Sequence, residues 1–231
     1  MTGIAVHWAR TVPASALSDR LTAADAARVA RIRQQTVRDS VASSLVLART
    51  VVETVAGTAA VDLVRRCPRC GSREHGRPLA VWGAVPDDVR WTAAPHLSLA
   101  RSSTVVVVAT SRVGHVGVDV ERRSGRLFAG FDDVALAPAE VALHAPGDAP
   151  ARLRTWVRKE AVLKAAGRGL TVDPRTLVLG APDEPPRIVS APAGLEVGHL
   201  GDVDVVPGHL IAVATRFGGE RPTVEVSQLR L

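Results

Sequence analysis

The sequence predicts an α+β protein of two related lobes, each a small, mostly antiparallel sheet packed with helices. Three observations carry that expectation. Apolar residues recur at helical spacing in both halves, and short β-branched runs bounded by turn residues lie between them. Val107-Val-Ala-Thr110 also returns as Ala212-Val-Ala-Thr215, an offset of 105 residues in a chain of 231. The echo puts a boundary near residue 112, giving lobes 1–112 and 113–231.

Taken in order, residues 3–9 read as an opening strand. Residues 18–32 and 36–56 read as helices. In the second of these, Val37, Val41, Leu45, Ala48, Val52 and Val55 share a face, and Gly57 stands where a helix stop is expected. A short strand at 63–66 precedes the turn-rich stretch 67–78; 96–101 and 104–110 form a hairpin, and 116–121 another strand. Helices follow at 138–145 and 150–166, each with Pro near its start, then short strands at 176–179, 195–197, 203–206, 209–215 and 223–226.

The composition is that of a soluble globular chain, 46% hydrophobic and 23% charged, which sets aside disorder, collagen and coiled coil. No apolar run reaches membrane-spanning length, and residues 1–10 lack a signal-peptide layout. Two cysteines cannot build a disulfide framework, so a reducing cytoplasm is expected. The net charge is +6 with a pI near 10.7, yet the basic residues are 27 arginines and only two lysines, Lys159 and Lys164. Both lysines lie in one segment, 158–168. Those positions read as needing a compact ammonium that a guanidinium cannot replace.

In His115-Val-Gly-Val-Asp-Val-Glu121 the alternation is strict, with Val116, Val118 and Val120 on one face and Gly117, Asp119 and Glu121 on the other. Two carboxylates about 6.6–6.8 Å apart along a strand, beside a glycine that admits another group, could hold a cation, although taken alone they read first as an acidic solvent face. On the later helix Trp156, Glu160 and Lys164 stand at i, i+4 and i+8, with Lys159 beside them. That pattern alone is also that of a Glu–Lys helix pair over a core tryptophan. Joined, the two elements supply three carboxylates and two lysines, a set that suits Mg²⁺ and a phosphoryl-type transfer.

Val116-Gly-Val-Asp-Val-Glu121 followed by Trp156-Val-Arg-Lys-Glu-Ala-Val-Leu-Lys164 resembles the two-part signature of 4′-phosphopantetheinyl transferases, closest to the double-length Sfp-type group in its Trp/Lys-Glu-Ala variant. His75-Gly-Arg-Pro78 and the strand around 97–102 match in order and rough spacing. The resemblance implies a fold of two lobes related by a pseudo-twofold axis. It also implies transfer of the phosphopantetheine arm of coenzyme A to a serine of an apo carrier protein, releasing adenosine 3′,5′-bisphosphate. By that similarity Asp119, Glu121 and Glu160 would bind Mg²⁺, with Mn²⁺ as the alternative. Glu160 would be the base for the serine hydroxyl, directly or through a water. Lys164 would stabilise charge on the attacked phosphate, and Lys159 would hold phosphate nearby.

The N-terminal lobe would contact the CoA nucleotide through Arg77 and Arg38, and through Ala100-Arg101, which stands where many relatives carry Ser-His. The C-terminal lobe would carry the metal-binding and catalytic motifs. Only 35 residues separate Val120 from Trp156, so the connection is trimmed. Arg28, Arg31 and Arg33 read as a solvated helix face. Residues 122–136, with Phe128 and Phe131, are expected either to dock the carrier or to pack in the core. The acceptors would be fatty-acid, polyketide or nonribosomal-peptide carriers, and the length fits a monomer with its site between the lobes. Cys67-x-x-Cys70 with His75 offers too few ligands for a structural zinc and reads as a knuckle-like turn. Two rivals compete with this reading. A basic nucleic-acid-binding module lacks a stacking platform, since aromatics are 3% with no tyrosine. A Mg²⁺-dependent nuclease lacks the acid-x-Lys pair on one strand.

Overall fold

The computed structural model describes residues 3–57, 61–67, 70–72, 76–82, 95–112, 114–219 and 221–231. The protein is α+β and divides into two compact units, Met1–Val113 with Thr223–Leu231, and Gly114–Pro222.

The first unit runs β1 (Gly3–Arg10), a 3₁₀ turn (Ala14–Arg20), α1 (Ala23–Ala30), α2 (Gln35–Ala56), β2 (Val61–Arg66), β3 (Arg77–Trp82), β4 (His96–Arg101) and β5 (Val105–Ser111). The single helix expected over 18–32 is broken, because Thr22 accepts the Asp25 N–H at 3.1 Å and starts a new helix there. Helix α2 ends as its sequence predicts, on Gly57 at φ +68°. Its buried face (Leu47, Ala48, Val51, Val52) packs on Ala9, Leu97, Val106 and Val108 of the sheet. Its earlier turns (Val41, Leu45, Val46) cover Leu17 and Val29.

The second unit runs β6 (Val116–Arg122), α3 (Phe131–Ala135), α4 (Pro138–Val141), α5 (Ala149–Ala165), β7 (Val178–Leu179), β8 (Ile188–Ser190), β9 (His199–Asp202) and β10 (His209–Thr215). Its three-stranded sheet, β6-β10-β9, is antiparallel throughout. Helix α5 lies on it, with Leu153, Val157, Ala161 and Ala165 against Leu210, Ala212 and Ala214. The strands expected at 195–197 and 203–206 are loops that bury Leu195, Val203 and Val206 in place, while the strand itself lies between them.

The chain's last strand, β11 (Thr223–Gln228), pairs in parallel with β1. The first unit's main sheet is therefore mixed, in the order β11-β1-β5-β4. Residues 223–231, which the sequence alone leaves with the second half, sit in the first unit.

Candidate active site

The acid strand and the lysine helix meet inside the second unit. Gly117 makes this possible: a Cβ there would collide with the backbone of Ala161 and Ala165. The face of β6 that carries Gly117, Asp119 and Glu121 is therefore the face α5 packs on at its glycine end, not a free solvent face. Asp119 is buried and Glu121 half-buried. In the ladder they stand opposite Ala212 and Leu210 of β10.

Helix α5 starts where Asp148 Oδ1 accepts the Ala151 N–H at 3.0 Å, with Pro150 in its first turn. From that start the 3.6-residue period brings Glu160 and Lys164 to the acid strand together. Lys164 Nζ donates to Asp119 Oδ1 at 2.6 Å and to the Val118 carbonyl at 3.2 Å. Glu160 is buried, and its Oε1 has no hydrogen-bond partner. Burial first, then the Asp119 charge, pushes the Glu160 carboxyl up to about 7 against the pull of Lys164. Burial, with Asp119 and to a smaller extent Glu160, likewise raises Glu121 to about 7, again opposed by Lys164. The site thus holds more carboxylates than one lysine can neutralise. A cation would relieve the excess.

As a donor set, three carboxylates with an orphaned buried oxygen fit a hard divalent ion. Among the described residues, however, no three His, Cys, Asp or Glu side chains already form a cage, and Lys164 sits on Asp119.

Lys159 departs from its expectation. It is fully buried, and its three ammonium donors go to the Ala135 carbonyl (2.9 Å), the Pro174 carbonyl (2.9 Å) and Glu140 Oε2. It has no proton left and no surface from which to hold a phosphate. Its neighbour Arg158 is spent in the same way, on Asp202 (2.7 Å) and on the carbonyls of Ala181 and Glu184. Glu140, which the sequence did not single out, is the partner that was missed.

The residues expected at the nucleotide all lie in the first unit. Arg38, half-buried on α2, donates to the Ile32 carbonyl at 3.2 Å. Arg77 opens β3 opposite Arg66. Ala100 is a core residue of β4, 5% exposed, so its methyl group cannot reach a ligand; Arg101 next to it is exposed. Arg101 instead joins a group that sequence spacing hides. Burial first, then the Arg28 and Arg101 guanidiniums, lowers Arg65 to about 10, so these three cations from α1, β2 and β4 stand together. Arg28 is thus more than one member of a solvated helix face. Arg49 pairs with Asp25 at 3.2 Å beside them.

In the 122–136 segment one phenylalanine is buried and the other exposed. Phe131 is core, packed with Ala135 and Leu136 and edge-on to Trp156 at 6.0 Å, while Phe128 is exposed and edge-on to Phe131 at 5.3 Å. The two phenylalanines border a recess of about 400 Å³, with Leu127, Asp132 and Arg152 on its wall. The Gly71 N–H donates to the Cys67 carbonyl at 2.9 Å, and Gly71 stands at φ +70°. The expected partner His75 lies outside the described residues.

No curated protein matches the chain. Residues 115–200, the stretch that carries Asp119, Glu121, Glu160 and Lys164, match the family model of the 4′-phosphopantetheinyl transferase superfamily.

Proposed function

We propose that the protein is a 4′-phosphopantetheinyl transferase of the double-length, Sfp-type group, moving phosphopantetheine from coenzyme A to a serine of an apo carrier protein. One observation carries the reading: the family match falls on 115–200, and within that stretch Asp119, Glu160 and Lys164 come together around an uncompensated acid cluster.

In the reaction a bond forms between the serine oxygen and the β-phosphorus of CoA, and the bond to adenosine 3′,5′-bisphosphate breaks. Glu160, directly or through a water, takes the hydroxyl proton. Lys164, already an ammonium donor at the acid strand, moves from Asp119 to the phosphate oxygens, whose charge it stabilises. Asp119, Glu121 and Glu160 would hold Mg²⁺ or Mn²⁺, which when bound supplies positive charge to the pyrophosphate. Arg38, Arg77 and Arg101 would contact the nucleotide, with Arg28 and Arg65 adding positive charge near Arg101. The exposed Phe128 is an anchor for the carrier, and a chain of +6 charge attracts both CoA and an acidic carrier.

The test is incubation with CoA, Mg²⁺ and several apo carriers, with mass spectrometry of the carrier. A phosphopantetheine adduct that depends on the protein supports the reading. Its absence from fatty-acid, polyketide and peptide carriers alike removes it.

A further inference from the structure

The second unit buries an ion pair that the proposed chemistry does not use. Lys159 is 0% exposed and Glu140 1%. Besides Lys159, Glu140 Oε2 accepts the Ala137 N–H at 2.7 Å, and Oε1 accepts the Leu179 N–H at 2.8 Å. His144 bridges the Glu140 carbonyl (2.8 Å) to Thr155 Oγ1 on α5 (2.9 Å). Lys159 adds the carbonyls of Ala135 and Pro174. One node therefore ties the end of α3, α4, the 3₁₀ turn Pro174–Thr176 and β7 to the middle of α5.

A pair buried this deeply gives little net stability over apolar residues, because desolvation offsets the attraction. What such a pair can provide is a unique arrangement. The arrangement that matters is the rotation of α5. Successive helix side chains point about 100° apart, so Lys159 reaches the α3–α4 side while Glu160, the next residue, turns toward another. On the β6 side the helix is located by Gly117, and Lys159 holds it from the α3–α4 side. At a helix radius of about 5–6 Å, a turn of about 10° carries a side-chain tip about 1 Å. A displacement of that size can cost on the order of 10²-fold in rate.

We infer that Lys159 and Glu140 are positioning residues, whose buried pair fixes the rotation of α5 and so aims the Glu160 carboxylate at the acid strand without touching substrate. This rests on the reading of Glu160 as the base of the proposed transfer.

The test is steady-state kinetics of Glu140→Gln, Lys159→Met and the double variant, with CoA affinity measured by calorimetry in the absence of carrier. Glu140→Gln is nearly isosteric and keeps an acceptor for Leu179, so it remains informative if Lys159→Met does not fold. In each folded variant kcat falls by roughly 10- to 10²-fold, while KM and Kd for CoA stay within about threefold. The double variant is no worse than the worse single one, because the two residues act as a unit. A folded Glu140→Gln with wild-type kcat overturns the inference. So does a Kd for CoA raised about tenfold by Lys159→Met alone, which would make Lys159 a phosphate ligand. A wild type without transfer activity would sink the transferase reading and leave this one testable without turnover. In crystals of Glu140→Gln the Glu160 carboxylate is expected to move by about 1 Å relative to Asp119. An unmoved Glu160 overturns the inference.

Discussion

Glu160→Gln should make the metal-free protein more stable while it removes the activity. The buried Glu160 carboxyl is held at about 7, against an ordinary 4.5, and its Oε1 has no partner. Each tenfold change in proton affinity is worth about 1.4 kcal/mol, so ionising this group costs the fold about 3 kcal/mol. Asp119, Glu121 and Lys164 respond to the same charge, which brings the expected gain for glutamine to about 1–3 kcal/mol.

The sign follows from proton binding. Between the unfolded value and about 7 the native state binds the extra proton, so the wild type loses stability as pH rises through that window. Glutamine carries no such cost. The gain should therefore be full near about pH 8 and below about 1 kcal/mol near about pH 5, where the native carboxyl is already protonated. Chemical denaturation of both proteins without divalent metal, at the two pH values, measures it. Transfer by the same variant should fall by on the order of 10²–10⁴-fold. A glutamine variant that is less stable at both pH values, or one that keeps wild-type transfer, would refute the reasoning.

Lys164→Arg should lose most of the transfer activity in a protein that still folds, because a forked guanidinium cannot replace a point ammonium placed 2.6 Å from Asp119; Lys159→Arg should lower the melting temperature as well as kcat, since the larger guanidinium must fit a fully buried node. Equal, near-normal behaviour of both variants would make the arginine-to-lysine ratio an accident of composition. Gly117→Ala forces α5 off β6, and about 1–3 kcal/mol of stability should be lost together with activity; unchanged denaturation would mean the helix is not seated as described. Adding Mg²⁺ should stabilise the wild type more at about pH 8 than at about pH 5, and should stabilise Asp119→Asn less at both, as thermal melts would record.

The elements with a strong local period were legible. The alternation of Val116, Val118 and Val120 against Asp119 and Glu121 located β6, and the helical stripe of Trp156, Glu160 and Lys164 located α5. Gly57 stopped α2 because the αL position it occupies suits glycine. What local pattern could not supply was partnership at long range. Lys159 looked like a phosphate ligand because the residue that consumes it, Glu140, lies 19 positions away on a short helix with no signal of its own. Arg28, Arg65 and Arg101 share one place only after α1, β2 and β4 are assembled.

Strand β3 was hidden by Pro78 near its start, which reads as a turn but here stands opposite Arg65 in a two-stranded ladder. Leu195, Val203 and Val206 read as strand residues by their apolar character, which in the fold serves burial and not pairing. The β6 tripeptide alone favours a solvent face over a cation site. The backbone of α5 against Gly117 rules out the free solvent face.

The central claim is that the Asp119–Glu160–Lys164 cluster transfers phosphopantetheine. The most direct measurement is the mass of an apo carrier protein after incubation with CoA, Mg²⁺ and either the wild type or Glu160→Gln. The account predicts a carrier heavier by one phosphopantetheine with the wild type, adenosine 3′,5′-bisphosphate in equal amount, and almost none of either with the variant. Unmodified carriers of every class with the wild type, or equal modification by the folded variant, would contradict it.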